Sequence, residues 1–128
     1  MKIEHMAYQV EDPISVARWY VDNLGLTLAR SAKVSPFMHF LADDGGHVMI
    51  EIYNNPDVAV PDYPAMDPLH LHLAFVSDDV VGDHRRLIAA GASSAGEIMS
   101  LDTGDTLAMM RDPWGFPIQL CHRAEPMI

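Results

Sequence analysis

Leu69-His70-Leu71-His72-Leu73-Ala74-Phe75-Val76 alternates with the period of two that a strand imposes. Leu69, Leu71, Leu73 and Phe75 fall on one apolar face, and His70, His72, Ala74 and Val76 on the other. The stretch reads as a strand that buries grease and aims paired imidazoles away from it. Its weight comes from being written twice. His72-Leu73-Ala74-Phe75 echoes His5-Met6-Ala7-Tyr8, and Asp79 follows Asp12 by the same 67 residues as His72 follows His5.

Working outward from His5, Ile3 to Val10 reads as a strand. Asp12-Pro13 then opens a helix, since Asp caps and Pro suits the first helical position. Ile14, Ala17, Tyr20, Val21 and Leu24 recur at helical spacing, and Gly25 is placed to stop the helix. Three β-prone runs follow at 27–33, 36–42 and 47–53, with Asp43-Asp44-Gly45-Gly46 as hairpin chemistry rather than a calcium loop. The order is βαβββ. Working outward from His72, a helix from Val80 to Ala90 stops at Gly91. Strands at 97–101, 106–111 and 116–122 complete a second βαβββ, with Asp112-Pro113-Trp114-Gly115 at its last hairpin.

The chain 1–128 is therefore expected to be one domain made of repeats 1–53 and 69–123. The connection 54–68 carries Pro56, Pro61, Pro64 and Pro68 and reads as an extended linker. Fully extended, it would reach about 45 Å.

The last strand of each repeat carries one polar residue among apolar ones. Glu51 opposes Val48, Ile50 and Ile52; Gln119 opposes Phe116, Ile118 and Leu120. A carboxylate inside an apolar strand is costly to bury unless it is paired or metal-bound. If the first and last strands of each repeat lie side by side, His5, Glu51, His72 and Gln119 converge on one concavity. That mixed N/O set suits a divalent first-row ion such as Zn, Ni, Co, Mn or Fe(II).

This pattern resembles the vicinal oxygen chelate superfamily, which includes glyoxalase I, methylmalonyl-CoA epimerase, extradiol dioxygenases and bleomycin-binding proteins. The residues that carry the resemblance are the His5 strand, Asn23-Leu24-Gly25-Leu26, Glu51, His72 and the run Asp112 to Leu120. The resemblance implies an α+β fold of two curved βαβββ sheets, a divalent metal on His5, Glu51, His72 and Gln119, and a homodimer. Gln119 departs from the carboxylate usual at that position. Glu51 is then the only carboxylate of the set and the candidate general base. His5, His72 and Glu51 alone would make a two-histidine, one-carboxylate site. The function implied is a metal-dependent isomerase, epimerase, lyase or dioxygenase acting on a small oxygenated substrate. The alternative is a drug-binding protein that uses the same concavity without catalysis.

Composition narrows the remaining possibilities. Hydrophobic residues make up 49% and charged residues 20%, as in an ordinary globular chain. Eight Lys and Arg against eighteen Asp and Glu give a net charge of -10, which argues against nucleic acid or an anionic membrane as partner. No apolar run is long enough to span a bilayer, and the single Cys121 cannot close an internal disulfide, so a cytoplasmic location is expected. Cys121 reads as a small buried hydrophobe and Met49 as lining for an adaptable pocket. His70 is expected at the rim, and His39, His47, His84 and His122 lack repeat partners and are expected at the surface or rim.

Overall fold

The structure is a computed structural model and describes residues 1–127. The chain is α+β and divides into two compact units, Met1–Pro61 and from Asp62 onward. In the first unit, strand β1 (His5–Gln9) leads into helix α1 (Pro13–Leu24), followed by strands β2 (Thr27–Ser31), β3 (His39–Ala42) and β4 (Met49–Tyr53). The sheet order is β1-β4-β3-β2, with β1 parallel to β4 and the other pairs antiparallel. First and last strands do lie side by side.

Local chemistry explains why α1 begins and ends where it does. The Asp12 side chain accepts from the Ser15 amide at 3.1 Å, Pro13 takes the first position, and Gly25 closes the helix at φ 73°. The buried face is Pro13, Val16, Ala17 and Tyr20. Ile14 and Val21 point outward at 48% and 38% exposure, so the apolar stripe is centred one residue away from the expected one. Spacings of 13, 16, 17 and 20 repeat at three and four residues, whereas 14 and 21 lie on the flank of that face. The Tyr20 and Tyr8 hydroxyls hydrogen bond at 3.1 Å between helix and sheet. Asp12→Ala is expected to destabilise the chain by about 1 kcal/mol in urea denaturation.

The second unit runs β5 (Leu73–Val76), α2 (Val80–Ala89), β6 (Ser93–Ser94), β7 (Met99–Ser100), β8 (Thr106–Arg111) and β9 (Pro117–His122). Its sheet order is β5-β9-β8-β6, with β5 parallel to β9. The strand expected over 97–101 is reduced to β7, and a second short strand, β6, precedes it. Both lie on β8, Ser94 opposite Met110 and Met99 opposite Leu107. Gly96, at φ 142°, interrupts them. The core of this unit is Val80 and Leu87 of α2 against Ala108, Met110, Ile118 and Leu120 of the sheet.

Asp83 shows how charge enters the stability of α2. The Ser77 hydroxyl donates to its carboxylate at 2.7 Å and Arg86 adds a contact at 2.9 Å. The Ser77 bond first, then Arg86, holds the Asp83 carboxyl below its ordinary value. A carboxylate depressed in the folded chain contributes stability above its unfolded pKa of about 3.9, and that contribution is lost as pH falls through the folded value. Asp83→Asn is expected to lower stability at pH 7 and to shrink the loss between pH 5 and pH 3, as measured by chemical denaturation at each pH.

The strand at 69–76 is shorter than its alternation implies. It begins at Leu73; Pro68 to His70 form a turn, and Leu69 is 77% exposed. Asp67 decides this. Its carbonyl accepts from the His70 amide at 3.0 Å and its side chain from the Leu69 amide at 2.9 Å, with Pro68 at the turn's second position. The two histidines therefore do not share a strand. Upstream, Tyr63 is buried against Phe116, with ring centroids 4.9 Å apart. The Arg111 guanidinium donates to the carbonyls of Tyr63, Met66 and Gly115 at 2.7, 2.6 and 3.0 Å. The stretch 63–66 is thereby tied to the second unit's sheet.

Candidate functional site

In the first unit, the parallel pairing of β1 and β4 sets Ala7 opposite Glu51 and His5 opposite Met49. Period two then puts His5, Ala7, Met49 and Glu51 on one face, with Phe40 of β3 beside Glu51. The other face carries Tyr8, Leu41 and Ile52, all buried. His5 Nε2 lies 3.4 Å from a Glu51 carboxylate oxygen, and both side chains are partly buried. His5 Nδ1 is 2.8 Å from the Glu4 carboxylate, and its ring meets Phe40 edge-on with centroids 5.4 Å apart. The ring stands between two carboxylates, each of which only accepts, so either nitrogen can donate to its neighbour. Nε2 and a Glu51 oxygen, 3.4 Å apart, are as close as two ligands of one cation.

The second unit repeats the register. Ala74 lies opposite Gln119, and His72 precedes Ala74 by two residues, as His5 precedes Ala7. His72 stands just before β5, half-buried, with Nδ1 donating to the Pro68 carbonyl at 2.9 Å. The proton is held on Nδ1 and Nε2 keeps the lone pair, the tautomer required of an Nε2 metal ligand. Gln119 accepts from the Cys121 thiol through Oε1 at 3.1 Å, which leaves that oxygen a second lone pair. Burial pushes the Cys121 thiol up, so it behaves as the small buried hydrophobe expected rather than as a nucleophile.

The structure brings His5 and Glu51 into contact and sets His72 just ahead of β5, the strand that pairs with the β9 of Gln119. Among the described residues, no three His, Cys, Asp or Glu side chains form a group that could hold a metal ion. His70, His47 and His122 are exposed, as expected of rim positions, and His84 reaches the Ser94 hydroxyl at 3.1 Å. His39 is a correction. It is 7% exposed, opposite Ile52 on the helix-facing side, with Nδ1 donating to the Phe37 carbonyl at 2.7 Å. A short apolar strand gives no sign in isolation of which face its histidine takes.

Sequence reasoning passed over Glu4 and Gln9. Glu4 adjoins His5 but looks like a frayed terminus, and only its contact with Nδ1 marks it. Gln9 is buried, donates to the Val58 carbonyl and accepts from the Asn55 amide at 2.9 Å, so it orders the chain leaving β4.

A model of the Glyoxalase/Bleomycin resistance protein/Dioxygenase superfamily matches residues 2–120. Among solved structures, a glyoxalase family protein from Bacillus cereus matches with a TM-score of 0.82 at 19% identity, covering 98% of this chain and 95% of that one. TnmS3, an antibiotic binding protein from Streptomyces sp. CB03234, matches at 0.71 and 22% identity over 97% of both chains. Glyoxalase I from Zea mays matches at 0.75 and 23% identity, covering 97% of this chain and 45% of that one. No curated protein matches the sequence. No helix among the described residues is long and apolar enough to cross a membrane.

Proposed function

Since the chain belongs to the Glyoxalase/Bleomycin resistance protein/Dioxygenase superfamily, we propose that it is a metal-dependent, glyoxalase-like enzyme acting on a small oxygenated substrate. The proposed ligands are His5 and Glu51 from the first unit with His72 and Gln119 from the second. The observation that carries this reading is the approach of His5 Nε2 to a Glu51 carboxylate oxygen at 3.4 Å. His72 is set at the matching place in the second unit, and its Nδ1 is occupied by the Pro68 carbonyl, which leaves Nε2 as the nitrogen able to ligate. Two imidazole nitrogens, one carboxylate and one amide oxygen fit a divalent first-row ion. With one negative donor, the set leaves the ion a net positive charge.

A bound divalent ion would supply Lewis-acid polarisation of adjacent substrate oxygens. This chain's residues do the rest. Glu4 contacts Nδ1 of His5 and orients the ring. Phe40 braces the ring edge-on. Glu51 is the proposed general base, since Gln119 as a neutral amide cannot take a proton. Isomerisation, epimerisation and lyase chemistry are the reactions consistent with one such base, dioxygenase chemistry is the further reaction type proposed for the ligand set, and a homodimer is the proposed assembly. A second reading is a small-molecule binding protein without metal, supported by the fold shared with TnmS3.

Elemental analysis of protein purified without tag or chelator separates the two. About one divalent ion per chain is expected, together with hemithioacetal isomerisation or catechol cleavage that Glu51→Gln abolishes without expelling the protein's fold. No uptake of Zn, Ni, Co, Mn or Fe(II) would sink the enzyme reading and leave ligand capture.

A further inference from the structure

Strand β2 carries a bulge with a chemical consequence. Thr27 and Leu28 pair with Ala42 and Leu41, but the next residue to pair is Arg30, opposite Phe40, and Ala29 is skipped. Without that shift Ala29 would oppose Phe40, and Arg30 would oppose His39 on the face packed against α1. The extra residue re-aims the side chain, as bulges do. Arg30 of β2, Phe40 of β3, Glu51 of β4 and Ala7 of β1 form one row across the sheet, all on the face that carries His5. Strands lie about 4.8 Å apart, so the Arg30 backbone is about 10 Å from that of Glu51.

The same face holds a cavity of about 290 Å³ lined by Glu4, Ala29, Arg30, Phe40 and Met49. Its acid and its base differ in commitment. The Glu4 carboxylate is bound to His5 Nδ1. Arg30 makes no ion pair among the described residues, in a chain of net charge -10 with few cations. A guanidinium without an ion-pair partner, lining a cavity with an apolar ring and a thioether on the sheet face that also carries Glu51, is matched to a carboxylate or phosphate.

We propose that Arg30 is a specificity-determining residue that binds an anionic group at the distal end of the ligand. The ligand class is then a small organic anion with adjacent oxygens at the His5–Glu51 end and a carboxylate or phosphate roughly 10 Å away or less. The oxygen-bearing end rests on the function proposed above; the anion subsite rests on the bulge and the cavity.

The test is calorimetric titration with two probes, 2-oxoglutarate, which has a distal carboxylate, and 2-oxobutanoate, which lacks it. Wild-type protein is expected to prefer 2-oxoglutarate by about tenfold or more, and Arg30→Gln to lose that preference. Arg85→Gln, on the exposed side of α2, removes the same charge elsewhere and is expected to keep it. No preference in the wild type, or an equal preference in Arg30→Gln, would overturn the assignment. A preference that persists in protein unable to take up metal would leave the anion subsite standing and remove the metal-dependent reading alone. Metal uptake without the preference would do the reverse.

Discussion

His5→Ala is expected to weaken divalent-metal binding by more than about 100-fold, and His72→Ala to do the same. The reasoning starts from Nε2. In each ring Nδ1 is engaged by an acceptor, Glu4 or the Pro68 carbonyl, so Nε2 is the nitrogen placed to ligate. Truncation removes a proposed ligand outright, and in the first unit it leaves the Glu51 carboxylate without its nitrogen neighbour. Glu4→Gln is the finer probe. It keeps a polar side chain next to His5 but weakens the acceptor that orients the ring, and outer-shell partners of this kind are worth about 10–100-fold in affinity. His70→Ala, at an exposed position, is expected to change nothing. Competition titration with Zn and Co reads all four. Equal affinity in wild type and His5→Ala would exclude His5 as a ligand, whatever its register suggests.

Phe116→Ala is expected to destabilise the chain by about 3–5 kcal/mol, the range for emptying a fully buried aromatic site. Phe116 is 1% exposed and immediately precedes the last strand of the second unit. Its amide donates to the Asp112 side chain at 2.9 Å, and its ring packs edge-on to Tyr63. Such an aromatic pair adds about 0.5–1.5 kcal/mol beyond area burial. Loss of the ring therefore removes core volume and also the surface that holds Tyr63 down. Two readouts separate the effects. Urea denaturation gives the global loss, and limited proteolysis is expected to open new cleavage between 60 and 70, where the chain is otherwise held by Tyr63 and the Arg111 guanidinium. A loss under about 1 kcal/mol would mean that the neighbours refill the site.

The sheet registers explain why a reading from His72 found the right fold through a strand that is half a turn. The repeat of His, helix cap and stop glycine survives in both units because each depends on residues a few positions apart. Asp12 caps Ser15 and Asp79 caps Gly82; Gly25 and Gly91 both take positive φ. The 69–72 segment alternates as a strand should, yet Asp67 and Pro68 hold it in a turn through bonds that outcompete a ladder with no neighbour there.

Sequence by itself determined the duplicated order of elements, the superfamily and the two residue pairs worth testing, because caps, turns and alternation are written in local chemistry. Tertiary structure decided the rest. The Ala29 bulge turned Arg30 toward the His5 face, Ile52 drew His39 inward as its ladder partner, and Glu4 and the Pro68 carbonyl engaged Nδ1 of the two histidine rings. Each of these depends on which backbone lies alongside. Strand register joins residues distant in the chain, and a slip of one residue moves every side chain to the opposite face.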